Sequence, residues 1–293
     1  MVRFPGTVVV GVDGSPESVW ASRVGERAAD RAGTACHLVY ALSPSWDFMP
    51  EPDTARARVA ATLRGAVRAD TIERMAIRRG RPDAVLRQVA GEVGAGLIVL
   101  GGKRRSTFQR LLADSTTTHV IRTTKVPVLV AVDGVEPRGR VLAAVDVAVA
   151  AAAPTIATAQ DTAEFFGGEL RVLNVMEPLP VVSDVVSYDL AGYYSMLEEH
   201  VKEDIWPLIR DLSATKVTRR GFAVGEILHE AEEWGARLVV VGSHGKGWVD
   251  RLLIGSVTEQ LLNTLSTPLL IVPVREALAA ADQQALAVAH AEG

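Results

Sequence analysis

Two tandem α/β domains built on parallel sheets are predicted by three features of this sequence. Short apolar runs alternate with helix-periodic segments, which is the pattern of βαβ crossovers. The same grammar then occurs twice. Ala95-Gly96-Leu97-Ile98-Val99-Leu100-Gly101 matches Ala236-Arg237-Leu238-Val239-Val240-Val241-Gly242 at an offset of 141 (242 − 101), and Lys125-Val126-Pro127-Val128 matches Ser266-Thr267-Pro268-Leu269 at that offset. Between the copies Gly134, Pro137 and Gly139 break both periodicities. The predicted domains are therefore 1–134 and 139–275, with an Ala-rich tail at 276–293 that lacks a broad apolar face and is expected to be a frayed helix or disordered.

In the first unit, strands are predicted near 7–13, 35–42, 72–79, 96–101 and 127–132, with helices near 16–32, 54–69, 83–93 and 115–124. Ser15 and Pro16 supply an N-cap and an N1 proline for the first helix. Val59, Leu63 and Val67 place one apolar stripe of the second helix on the sheet. Leu197, Val201, Ile205, Leu208 and Leu212 repeat that stripe in the second unit, where Pro207 is expected to kink the helix. Both first strands end in aspartate, Asp13 and Asp146, but Gly14-Ser15-Pro16 follows only the first; the second continues as Val147-Ala148 to Pro154.

Composition narrows the function classes. A chain of 293 residues, 48% hydrophobic and 23% charged, is ordinary globular material with room for two cores. No export signal and no 20-residue apolar span is visible, and the single cysteine, Cys36, excludes an internal disulfide; a cytoplasmic protein is expected. Cys36 reads as a small core residue beside Val39. The net charge of −4 hides an asymmetry. Residues 1–134 hold 19 basic against 13 acidic side chains, whereas 135–293 hold 12 against 22. The basic residues Arg56, Arg58, Arg64, Arg68, Arg74, Arg78, Arg79 and Arg81 lack interleaved aromatics, and only 5% of the chain is aromatic, so nucleic-acid binding is not expected. They read as a solvated face able to attract an acidic partner, including the other half of the chain.

Chemistry concentrates after the fourth strand of the second unit. Gly242-Ser243-His244-Gly245 is followed after nine residues by Gly255-Ser256, and then by the helical Val257-Thr258-Glu259-Gln260-Leu261-Leu262. A loop between a strand's carboxyl end and a helix's amino end is where open α/β sheets bind ligands. Free N–H groups at a helix start favour an anion, and glycines let the backbone approach phosphate. Ser256 and Glu259 also fit a capping box, and Gly242 and Gly245 fit simple turn roles. In the first copy Gly101 and Ser115 persist, but Arg104 stands for Gly245 and Asp114 for Gly255. A side chain and a carboxylate thus enter where phosphate would sit.

The duplicated five-stranded unit, Val12-Asp13-Gly14-Ser15-Pro16 and Gly-x2-Gly-x9-Gly-Ser together resemble a tandem universal stress protein across about residues 6–274. The resemblance implies doubly wound sheets of order 3-2-1-4-5 in a family that often dimerises along the fifth strand, here as a pseudo-dimer within the chain, with a further homodimer left open. It implies ATP, with Mg as its counter-ion, held by Gly242, Ser243, His244, Gly245, Gly255, Ser256, Val257 and Thr258 around ribose and phosphates. Asp146 would hold the nucleoside, and main-chain groups near Val175 would read the adenine edge. In the first unit Asp13, and Val39 to Ala41, match the nucleoside side, whereas Gly101 and Ser115 stand without the rest of the phosphate grip. One good nucleotide site per chain, in the second unit, is the expectation.

Nothing in the sequence supplies a catalyst. Gly245-Lys246-Gly247 is not a Walker loop, no dinucleotide Gly-x-Gly-x-x-Gly occurs, and the six histidines show no metal-ligand spacing. Any ATPase activity is expected to be slow, with a stress-response regulator that signals to a protein partner as the leading reading. A nucleotide-free dimerisation and docking scaffold is the competing one. An ATP-cleaving hydrolase is weaker, because neither Asp13-Gly14-Ser15 nor Asp146-Val147-Ala148 provides a pyrophosphate loop.

Overall fold

The computed structural model describes residues 4–43, 51–102, 116–178, 190–244, 254–264 and 266–274, with 277 and 279. The first unit contributes β1 (Thr7–Gly11), β2 (Cys36–Leu42), β3 (Ala76–Arg79), β4 (Ala95–Gly102) and β5 (Val128–Val132); the second contributes β6 (Val141–Val145), β7 (Leu170–Met176), β8 (Ala214–Arg220), β9 (Leu238–Gly242) and β10 (Leu269–Val272). All ten form one sheet of order β3-β2-β1-β4-β5-β10-β9-β6-β7-β8. Pairing inside each unit is parallel, and each unit reads 3-2-1-4-5 in its own strand count. The halves meet where β5 and β10 run antiparallel, with Val130 opposite Leu269 and Val128 opposite Ile271. Fully apolar strands such as β5 and β10 are what a sheet covered on both faces requires.

Helices cover both faces. The helices are α1 (Pro16–Ala32), α2 (Pro52–Leu63), α3 (Ala69–Glu73), α4 (Pro82–Glu92) and α5 (Thr116–Thr123) in the first unit, and α6 (Val149–Phe166), α7 (Leu190–His200), α8 (Ala223–Trp234) and α9 (Ser256–Thr264) in the second. One layer packs Val8, Val10, Leu38 and Val99 with Ala143, Val172, Val240 and Leu270. The opposite layer packs Val9, Ile98 and Leu86 with Leu142, Val239 and Leu261. Both layers run through the junction, so the units share a continuous core.

The helix starts follow the predicted asymmetry. Ser15 caps α1 by accepting from Ser18 N at 3.2 Å, with Pro16 at the first turn and Gly33 in the left-handed region at the end. At α6 the cap residue is Ala148, which has no side-chain acceptor, and Pro154 lies inside the helix, where it removes one ladder bond. The predicted second helix is shorter than expected. It ends at Leu63, and Val67 is buried from the turn that follows, where Gly65 takes φ +76°. Leu63 and Val67 therefore do not lie on one helical stripe.

Pro207 acts more locally than a kink. Its missing N–H and its ring oppose a normal i to i−4 ladder, and the chain answers with a π-helical turn, Val201–Ile205, then a 3-10 turn, Trp206–Ile209. Buried positions run Leu197, Val201, Ile205 and Ile209, so Ile209 takes the core place predicted for Leu208.

Side chains also tie the halves together. Phe4 meets Phe165 edge-on at 5.8 Å, Arg31 lies over the Phe165 ring and donates to Phe165 O, and Arg27 pairs with Glu136. The linker passes so close to the second unit that a Cβ on Gly168 would fall 1.6 Å from Gly139 O. Among the described residues the ion pair between the halves is Arg27 with Glu136, while of the basic run expected to attract the other half Arg68 pairs with Asp30, Arg74 with Asp70 and Arg81 with Asp83 inside the first unit. Cys36 is buried as expected. Burial first, then Glu26 and Asp30, pushes its thiol up to about 12, which keeps it protonated and unreactive.

The second unit carries one buried charge cluster. Glu230 on α8 is 1% exposed and accepts from Arg171 at 2.5 Å and from Arg219 at 2.5 Å, with Arg171 stacked on Trp234. Burial alone would raise this carboxyl, but the two guanidiniums hold it below the usual glutamate value. Val89 occupies the same position in the first unit, 141 residues earlier.

Candidate functional site

Each unit has a strand-order reversal at its first strand, β1 or β6, where neighbours on the two sides are reached by crossovers in opposite directions. Such a switch point leaves a crevice beyond the strands' carboxyl ends. In the first unit that crevice is a cavity of about 140 Å³, lined by residues that include Asp13, Val39, Ala41, Gly101 and Thr116. Asp13 Oδ1 accepts from Ser15 N at 2.9 Å and from Ser15 Oγ at 2.5 Å, so the aspartate is set by the cap of α1. The floor is shaped by small residues. Gly11 lies under Leu100 and Leu86, and a Cβ on Gly101 would fall 2.5 Å from Glu17 C and 2.6 Å from Glu17 O. Gly101 is therefore required for β4 to pass under the first turn of α1, a packing reason sufficient in itself.

In the second unit the glycine loop leaves β9 at Gly242 and returns at Gly255. Its two ends are pinned together: Gly255 N donates to Ser243 O at 3.0 Å, and α9 starts at the next residue, Ser256. Thr258 Oγ1 donates to Gly242 O at 2.9 Å, tying the first turn of α9 back to the end of β9. Glu259 N bonds Gly255 O at 3.0 Å, the first helical bond. The preceding N–H groups of Ser256, Val257 and Thr258 have no intrahelical acceptor by helix geometry. Asp146 follows β6 and accepts from Val147 N at 2.5 Å. Val175 is half-buried on β7. Gly245, Ser115, Arg104 and Asp114 lie outside the described residues.

Ser243 and His244 take a different direction from the one read in the sequence. Ser243 is 2% exposed and His244 7%. Ser243 N donates to Val272 O at 2.8 Å, Val274 N donates to Ser243 Oγ at 3.2 Å, and that hydroxyl meets His244 Nδ1 at 3.0 Å. The pair lines a second cavity of about 140 Å³ at the junction of the halves, facing Arg122, Thr124 and Lys125 of the first unit. Gly242, Gly255, Ser256, Val257 and Thr258 thus gather at one loop base, with Ser243 and His244 on its junction side.

Several residues were not singled out from sequence. Ser18, Thr116 and Thr117 line the first-unit cavity; a run of hydroxyls at helix starts was the available signal. Asn174, the counterpart of Tyr40 by strand register, is fully buried, donates from Nδ2 to Val145 O at 3.0 Å, and has an Oδ1 with no hydrogen-bond partner among the described residues. A polar residue within Leu170-Arg171-Val172-Leu173-Asn174-Val175-Met176 was its signal. Among the described residues no three His, Cys, Asp or Glu side chains cluster as metal ligands, and no helix is long and apolar enough to cross a membrane.

Known proteins share this architecture. The chain is 28% identical over 288 residues to universal stress protein Rv2005c of Mycobacterium tuberculosis, covering 90% of this chain and 96% of the relative. It is 28% identical over 299 residues to universal stress protein Rv2623 of the same organism, covering 92% and 97%. A crystal structure of a universal stress protein from Archaeoglobus fulgidus superposes with a TM-score of 0.64 at 18% identity, covering 92% of this chain and 99% of that one. The model of the universal stress protein family matches twice, over residues 6–131 and 137–273. This chain, with two such units sharing one sheet, belongs to the universal stress protein family.

Proposed function

We propose that the protein is an adenine-nucleotide-binding regulator whose second unit grips ATP and whose conformation reports that binding to a protein partner. The observation that carries this reading is the closed loop base: Gly255 N bonded to Ser243 O at 3.0 Å, at the start of α9 and beside the end of β6 where Asp146 stands. By helix geometry the amides of Ser256, Val257 and Thr258 lack intrahelical acceptors, and the positive end of α9 favours phosphate there. Gly255 brings no side chain to the loop base, and the helix-start amides beside it fit a phosphate. Asp146 and the backbone near Val175 lie on the nucleoside side. Mg would travel with the phosphates. A binding module rather than an enzyme is the reading, with slow hydrolysis at most, acting in the cytoplasm.

A second reading is favoured by the first-unit cavity, where Asp13, Val39 and Ala41 line a recess of about 140 Å³. It would take a nucleoside without a strong polyphosphate grip, since Arg104 and Asp114 replace two loop glycines. Native mass spectrometry with millimolar ATP separates the cases. One nucleotide per chain, lost in Gly245→Arg, supports the second-unit site. Two per chain, with one removed by Ala41→Phe, supports both; none supports a docking scaffold.

A further inference from the structure

The junction cavity is built by both halves of the chain, and its lining is charged. α5 ends at Thr123, and its last turn and the following residues bring Arg122, Thr124 and Lys125 against Ser243, His244 and Pro273. The volume, about 140 Å³, is several times the roughly 30 Å³ share of one water. Among the described residues lining it there is no carboxylate. Arg122 is half-buried, and among the described residues no hydrogen bond or ion pair engages its guanidinium. Lys125 and His244 each hold an interaction of their own. Thr124 Oγ1 accepts from Val126 N at 3.0 Å, which leaves its hydroxyl hydrogen to donate.

From this lining we infer that the junction cavity is a phosphate-type oxyanion site completed by the first unit for the second. The carboxyl end of α5 opposes an anion with roughly half a negative charge, but the Arg122 guanidinium brings a full positive charge to the same wall, with Lys125 beside it. The guanidinium fork matches a tetrahedral oxyanion. The pseudo-symmetric corner makes the point by contrast. At the 141-residue offset, Arg122 and Lys125 become Asn263 and Ser266, both neutral and exposed, and Asn263 bonds its own helix at Glu259 O. Basic residues are therefore supplied across the junction to Ser243 and His244 of the second unit, whereas the equivalent positions of the second unit are neutral.

The anion has two sources with one chemistry: a free oxyanion, or the terminal phosphates of a nucleotide on the second-unit loop. Only the second source rests on the proposed function. Isothermal titration of the full chain with inorganic phosphate, ATP and AMP separates them. Arg122→Gln is expected to weaken the phosphate interaction at least about tenfold, the loss of one charge-assisted bond. Arg122→Lys should restore part of it, and Arg79→Gln on the outer edge should leave it unchanged. Phosphate bound alongside ATP identifies a free-oxyanion site. Phosphate displaced by ATP but not AMP, or ATP affinity falling in Arg122→Gln while AMP affinity holds, identifies the nucleotide's own terminal groups. Arg122-dependent phosphate binding in a chain that binds no ATP removes the nucleotide reading and leaves this site standing. If neither phosphate nor ATP binding differs between the native chain and Arg122→Gln, the proposal is overturned.

Discussion

At equivalent positions the two units solve the same turn differently. After β1, Asp13 is fixed by Ser15, which also caps α1. After β6, Asp146 takes the next amide, and α6 begins on an uncapped alanine. After β4, Gly101 packs under α1 with no room for a Cβ, whereas a Cβ on Gly242 would meet His244 O at 3.1 Å and Thr155 Oγ1 at 3.3 Å. The outer layer differs too, with Val89 in one unit and the Glu230 cluster in the other. The lesson is that one fold separates duties: the first unit keeps a capped helix and an open recess, the second keeps the glycine loop and a buried charge cluster.

Exchanging residues between the copies tests that separation. The largest effect is expected for Gly245→Arg, which installs the first unit's own residue; losing two charge-assisted phosphate bonds should cost about a hundredfold in ATP affinity by calorimetry. Arg104→Ala should change it by less than about twofold, and the opposite ranking would assign the grip to the wrong half. Next, Glu230→Ala leaves Arg171 and Arg219 without their buried partner and should destabilise the chain by about 3 kcal/mol in denaturant titration. Because the folded Glu230 carboxyl is held below the usual glutamate value, its stabilisation is present above the unfolded carboxyl's pKa and fades as pH falls through the lower folded value. Glu230→Gln should flatten that acid limb, and an unchanged limb would remove the cluster from the account. The smallest effects belong to the caps. Ser15→Ala should cost about 1 kcal/mol, and Ala148→Ser, at a residue already extended at φ −71°, should return a few tenths to about 1 kcal/mol. Thermal melts of both variants with opposite signs are expected; equal signs would mean the loops do not share a design.

Much of the fold was legible because burial on both faces leaves strands as unbroken apolar runs, and duplication let each copy check the other. Pro16 and Ser15 marked α1 to the residue. Pro207 was visible, but its outcome was not: whether a proline yields a bend or a wider turn depends on what the sheet demands of Ile209, which periodicity at 3.6 does not contain. Val67 failed for a related reason, being buried from a turn rather than a helix. At the candidate site the meeting of Gly242, Gly255 and the start of α9 was legible by spacing, since strand ends and helix starts are local signals. The directions of Ser243 and His244 were not, because they are set by Val272 and Val274 on the neighbouring strand. Arg122 was invisible for the same reason. Its neighbour in space is 121 residues away, and only the antiparallel pairing of β5 with β10 brings the two together.

That pairing lies within one polypeptide. In an assembly of identical subunits every substitution at a two-fold contact lands twice, so a basic corner on one side is a basic corner on the other. Fusing the copies breaks that rule: Arg122 can line the junction cavity while its counterpart position holds the neutral Asn263, and each replacement is selected once. The linker from Gly134 to Gly139 also makes partner encounter intramolecular, so the asymmetric pair forms at any dilution.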